Sequence, residues 1–319
     1  MKKYLKYLAI FTACMLIVTA CKKSFLSVTP KGTNLESQYY RDQSEAFNGL
    51  VAVYDVVGYQ SGGLITKENA MDAGCDDEVA GGGGAGDVTD LQVFNNYTLN
   101  ETQGPSAALW QGGYQGIFRA NVLLSKLPGV PMDGSLKSRY ADEATALRAY
   151  FYFDLVRLFK NIPLILKEIP ADQVDNVLQV APSAIYSQIE SDLKAVIASK
   201  NIPDKIDVSA DGGRLTMGAV HALLGKIFLY EKKYTEAAAE FAIVNGSTPG
   251  QPNAIYGYQL LADFGDLWKV SNKFNAESII EVGHSSKSGG DWNCAACTEG
   301  NLLNIMVGPR GYVAKTAGA

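Results

Sequence analysis

Apolar residues recur at steps of three and four along most of this chain, the spacing of one face of an α-helix. From Glu36 to Val57 the repeating set is Phe47, Leu50, Val53, Tyr54 and Val57, closed by Gly62-Gly63. Trp110, Tyr114, Ile117, Asn121 and Leu124 form a second stripe that predicts a helix ending near Pro128. A third helix is expected from Lys137 to Phe159, with Ala144, Leu147, Phe151, Leu155 and Leu158 inward and Asn161-Ile162-Pro163 as its stop. Ser183, just after Pro182, is the expected N-cap of a fourth, whose apolar face is Ile185, Tyr186, Ile189, Leu193, Val196 and Ile197. Residues 60–104 break the rhythm. Gly81 to Gly84, Gly86 and many Asp and Asn predict a long irregular loop region there, and such regions often hold function.

Residues 218–244, GAVHALLGKIFLYEKKYTEAAAEFAIV, are denser in signal. Leu224-Gly225, Phe228, Tyr234, Ala237, Phe241 and the later Pro249 resemble a tetratricopeptide (TPR) unit, two antiparallel helices in close contact. Small Gly225 and Ala237 let the helices approach, and the large residues fill the groove around them. One such pair cannot bury both faces alone, so the fold expected is mainly α, with TPR-like stacked helix pairs and long irregular loops.

The amino terminus reads as an export address. Lys2, Lys3 and Lys6 precede an apolar run from Tyr7 to Val18, shorter than the ~20 residues of a membrane-spanning helix. Val18-Thr19-Ala20-Cys21 then looks like a bacterial lipobox, against the simpler reading of an ordinary signal peptide with a chance cysteine. The expected division is a lipoprotein signal peptide over 1–20, a lipidated tether over 21–35 beginning at Cys21, and a helical domain over 36–319. Cleavage removes three lysines and takes the formal charge from −5 to −8.

Charge and composition narrow the function classes. The acidic balance disfavours nucleic acid, whose phosphates call for clustered Lys and Arg. Two histidines, His221 and His284, leave little material for a His-rich metal site or a Ser-His-Asp relay. His221 fits a helix-contact position. Seventeen tyrosines offer apolar faces with a hydroxyl attached, which suits binding surfaces as well as cores.

Taken in order, the motifs resemble those of the SusD/RagB family of outer-membrane lipoproteins. Cys21 comes first. Trp110, Tyr114, Ile117, Ala120 and Asn121 are similar to the family's W…Y..I..AN helix. Glu143 to Leu155, EATALRAYFYFDL, is similar to its EA..LRA..YF.L signature, and Asn161-Ile162-Pro163-Leu164 to the following turn, with Asn in place of Gly. Thr216 to Val220 opens the TPR-like pair, and Phe264 to Trp268 with Glu277 to Val282 resemble a later segment. The resemblance implies a surface lipoprotein, lipid-anchored in the outer membrane, that captures a glycan or oligosaccharide. It would deliver that cargo to a SusC-type TonB-dependent transporter without catalysis and without a cofactor. Peptide or other nutrient capture, or a TPR-type protein-interaction scaffold, are the alternatives. A lipid-anchored hydrolase with paired carboxylates has no supporting motif. Family members are usually much longer, so the C-terminal part of the architecture is expected to be missing.

A sugar-binding surface needs aromatic faces for C–H groups and polar groups for hydroxyls. Asp77, Phe94, Asn96 and Tyr97 in the loop region, and Trp292 in the Gly-containing stretch 288–293, supply that mixture and are the candidate ligand contacts. Trp110 and Trp268 read as scaffold, and Arg148 and Asp154 as structural polar contacts. Gly81 to Gly84 lacks the Gly-Lys-Ser/Thr of a phosphate loop. Cys294-Ala295-Ala296-Cys297 lacks two further zinc ligands, and a local disulfide with Cys75 left over is at least as good a reading. Asp76-Asp77-Glu78 reads as a solvated acidic loop in preference to a calcium site, and no metal is expected.

Overall fold

A computed structural model describes residues 39–62, 65–84, 86–103, 106–248, 250–285 and 300. The chain divides into two compact units, Met1–Arg41 and Asp42–Ala319. In the first, the rings of Tyr39 and Tyr40 meet edge to face at 5.1 Å. The described helices and strands belong to the second.

Helix α1 spans Gln43–Gly62. Residues 39–42 are not helical, so the helix begins later than the Glu36 start expected from periodicity. The reason is a cap: the Asp42 carboxylate accepts the Glu45 N–H at 3.0 Å, satisfying a donor that the first turn leaves open. Its buried stripe is Ala46, Leu50, Val53 and Val56, which shares Leu50 and Val53 with the expected set, and Phe47 turns outward beside Tyr140.

The region 60–104 is not uniformly irregular. It contains α2, Lys67–Ala73, and α3, Thr89–Asn95. Both are too short for a periodicity signal. A capping box starts α2: the Thr66 hydroxyl accepts the Asn69 N–H at 3.2 Å, and the Asn69 side chain accepts the Thr66 N–H at 2.8 Å. Ala70, Ala73, Leu91 and the distant Leu109 then form one apolar cluster under both helices.

The scaffold proper is α4, Ser106–Lys126, α5, Gly134–Phe159, α6, Pro182–Ser199, α8, Met217–Tyr230, and α9, Tyr234–Asn245, with the single turn α7 at Val208–Asp211. Helix α1 lies on α4, α4 on α5, α5 on α6, α6 on α8 and α8 on α9, so successive helices stack in chain order. This is the expected mainly α, TPR-like architecture. Glycine sets two of the contacts. A Cβ on Gly116 of α4 would meet the Phe151 ring of α5 at 2.3 Å, and one on Gly225 of α8 would meet Phe241 of α9 at 2.8 Å.

Ends of the helices show which local signals acted. Asp133 caps α5 by accepting the Ser135 and Leu136 N–H groups, both at 2.9 Å, so the helix starts at Gly134, three residues before the expected Lys137. Lys160 leaves α5 with φ 62°, and Ile162–Pro163 (β1) pairs antiparallel with Gln179–Val180 (β2). At α6 the N-cap is Ala181, not Ser183, because Pro182 occupies the first turn, where a fixed φ and a missing N–H cost nothing.

Polar side chains fasten the stack. Arg148 of α5 makes a fork to Asp192 of α6 at 2.9–3.1 Å and reaches Asn121 of α4 at 3.0 Å, while Asn121 donates to the Ile165 carbonyl at 2.9 Å. Asp154 holds Lys67 at 3.0 Å and also pairs with Arg157. His221 is buried, with Nδ1 2.6 Å from Glu240. All three therefore serve the scaffold, as expected. Trp110 does too, edge-on to Phe159 at 5.0 Å. Trp268 does not: it is 76% exposed on a short helix, Phe264–Trp268, with the likewise exposed Phe264 ring 6.1 Å away. Its aromatic neighbour in sequence forms a surface pair instead of a core. Among the described residues, no helix is long and apolar enough to cross a membrane.

Candidate functional site

The segment 74–97 folds back on itself. Its neck is a hydrogen bond in which the Tyr97 hydroxyl donates to the Gly74 carbonyl at 2.9 Å, joining the end of α2 to the end of α3. Tyr97 is in the left-handed region at φ 53°, uncommon for a residue with a side chain. The turn is held by Asn96 N–H to Gln92 O at 2.9 Å and Thr98 N–H to Val93 O at 2.9 Å. The ring is consequently fixed at its backbone and at its hydroxyl, yet it is 75% exposed.

Two amides brace the interior. Gln92 Nε2 donates to the carbonyls of Ala80 at 2.8 Å, Gly81 at 3.0 Å and Asp87 at 3.3 Å. Asn95 Oδ1 accepts the Ala80 N–H at 3.1 Å, and Asn95 Nδ2 donates to Asn96 Oδ1 at 3.2 Å. Gly83 N–H reaches Asp87 at 2.8 Å. The glycines keep this stretch free of side chains, so its backbone is open to solvent.

Asp77, Phe94, Asn96 and Tyr97 all fall within this segment by sequence. Asp77 and Asn96 are exposed with Tyr97. Phe94 is half-buried and packs on the Ala70, Ala73, Leu91 and Leu109 cluster, so it supports the face from beneath. Trp292 lies outside the described residues, as do Cys21, Cys294 and Cys297. Cys75 is a free, exposed thiol whose sulfur contacts the Asp72 carbonyl. Among the described residues, no three of His, Cys, Asp and Glu converge to hold a metal ion. Gly74 and Gln92 were not among the expected site residues, and Asn95, which the loop's polar mixture included, braces the loop from within. A faint signal for Gln92 exists: it stands three residues before Asn95, on one helical turn of α3.

A separate cleft of about 600 Å³ lies between α1, α5, the turn at 210–215 and residues 273–285. Two of its lining groups, Tyr54 and Arg214, are tied to a carboxylate behind it. The Glu143 carboxylate, fully buried, receives Tyr54 at 2.6 Å, Arg139 at 2.8 Å and Arg214 at 2.6 and 3.1 Å. Tyr54 also accepts the Leu215 N–H at 3.0 Å. Burial pushes the Tyr54 phenol well up, and the Glu143 charge adds to the effect. Burial opposes the charge on Arg214, but Glu143 and Asp211 outweigh it and hold the guanidinium protonated. Sugar hydroxyls need open donors and acceptors, and the exposed Asp77 and Asn96 side chains of the 74–97 loop are of that kind.

A family model described as SusD-like, "Starch-binding associating with outer membrane", matches residues 60–229, more than half of the chain. The chain belongs to the SusD-like family. That match contains the entire 74–97 loop. Among curated relatives, SusD-like protein P2 of Formosa agariphila is 25% identical over 294 residues, covering 89% of this chain and 54% of the relative. A SusD-like protein of Bacteroides ovatus is 23% identical over 294 residues, covering 87% and 49%. Among solved structures, a laminarin binding SusD-like protein is 49% identical with a TM-score of 0.80, covering 85% of this chain and 58% of that one. Surface glycan-binding protein A from Bacteroides thetaiotaomicron, solved in complex with laminarihexaose, shares the fold at a TM-score of 0.69 and 23% identity, over 82% and 53%. The SusD-like chain thus spans about half the length of these relatives.

Proposed function

We propose that this SusD-like chain captures a laminarin-type glycan at the 74–97 loop without cleaving it. The supporting observation is the 49% identity, over 85% of the chain, to a laminarin binding SusD-like protein. In this reading the fixed Tyr97 ring stacks on the C–H face of a sugar, Asn96 and Asp77 take hydroxyls, and Phe94 keeps the face rigid. Trp292 adds a second ring. The protein is anchored through lipid on Cys21 at the outer membrane, facing the cell surface, and passes its cargo to a SusC-type TonB-dependent transporter.

Isothermal titration of the full-length protein with laminarin, starch, xylan and a peptide mixture tests capture. Saturable binding of laminarin, with the polymer recovered intact, is expected; no binding to any glycan would sink the reading. Release of shorter products would replace capture with hydrolysis. Anchoring is tested apart from binding: Cys21→Ser should move the protein out of the membrane fraction, and wild type should co-purify with the transporter.

A further inference from the structure

Gln92 has two N–H bonds and three carbonyl partners, at Ala80, Gly81 and Asp87. One side chain therefore gathers both limbs of the glycine-rich stretch onto α3. Asn95, one turn on, takes the Ala80 N–H and passes a hydrogen bond to Asn96. Gly82 and Gly84 have φ of 94° and 148°, conformations that only glycine adopts cheaply, so this backbone has little stiffness of its own. Its shape is imposed from outside, by two amides that do not themselves face solvent as Tyr97 does.

We infer that Gln92 and Asn95 are positioning residues, which hold the backbone of residues 80–84 as a preformed wall beside the Asn96–Tyr97 face so that a glycan meets it without an ordering cost. The inference rests on the glycan reading of the loop. Sugar hydroxyls pair readily with backbone N–H and C=O groups, here those of Gly82 and the Gly83 carbonyl, which the bracing bonds do not use, and a wall ordered before binding spares the entropy that a loose one loses on contact. Asn95 links the wall to the ligand face directly, because the amide that fixes Ala80 also orients Asn96.

The test uses the full chain, with Gln92→Met, which keeps the length of the side chain and removes its donors, and Asn95→Ala. Each should weaken laminarin binding about tenfold by titration, with the added penalty in the entropy. Amide exchange in residues 78–84 should quicken in the free variants, return to the wild-type rate when laminarin is added, and leave exchange in α4, α5 and α8 unchanged. Equal affinity of wild type and both variants, with faster exchange at 78–84, overturns the inference while the glycan reading stands. Failure of wild type itself to bind any glycan removes the glycan reading and this inference together. Faster exchange throughout the helices would show a general stability role and also overturn it.

Discussion

Tyr97 combines two properties that usually exclude each other, exposure and fixation. Its ring can meet a ligand without first losing rotamer freedom, because the bond to Gly74 and the left-handed backbone already hold it. Under the proposed function, Tyr97→Ala should lower laminarin affinity at least about tenfold, and Tyr97→Phe, which keeps the ring but frees the neck, by less, as titration would read. Equal losses would assign the effect to the tether alone. Arg148 makes the opposite kind of residue prediction, on stability. Arg148→Ala leaves Asp192 buried without its partner and should cost about 3–5 kcal/mol, measured by denaturant unfolding, whereas Arg148→Met with Asp192→Leu should regain most of that. Both positions stood out in the sequence, one as an aromatic in a loop and one in a signature helix. Their partners, Gly74 and Asp192, did not, because nothing local ties a residue to another 23 or 44 positions away.

Element by element, close approach decides the sign of a substitution. Gly116→Ala would gain about 1 kcal/mol in helix propensity. It would also drive a Cβ into the Phe151 ring, which is fully buried and has nowhere to go. A net loss of about 1–3 kcal/mol is expected in thermal or denaturant unfolding. Gly225→Ala should be milder, because the Phe241 ring facing it is only partly buried and can swing aside. Long helices were legible from their period, while the starts of α1, α5 and α6 were not. Asp42, Asp133 and Pro182 set those starts through hydrogen bonds or a fixed φ, which apolar spacing does not register. Helices α2 and α3 escaped notice for a related reason. Each has seven residues, too few for a stripe, and their stability comes from a capping box and from Leu109 on another helix.

For the whole molecule, acid should loosen the fold through several carboxylates at once. Hydrogen bonds from Ser135 hold Asp133 below the usual aspartate range, and Ser209 does the same for Asp207. Burial works against the charge on Asp211, but Arg214 and Arg139 prevail and lower it as well. A depressed folded-state pKa means stability that is complete above the unfolded value, near 4, and is lost as pH falls through the folded value. The melting temperature should therefore drop progressively below about pH 4, and Asp133→Asn should show a shallower drop than wild type. An unchanged slope in that variant would remove Asp133 from the account. From residue order alone came the helical class, the TPR-like pair, the family resemblance and the loop in which the candidate face lies, because periodicity and motif spacing are local properties that survive without a fold. Tertiary structure alone decided that Tyr97 closes on Gly74, that Gln92 gathers three carbonyls, that Phe94 turns inward and that Trp268 faces water. Each depends on which distant groups arrive at the same place, and that is set by the stacking of whole helices, not by the spacing of neighbours along the chain.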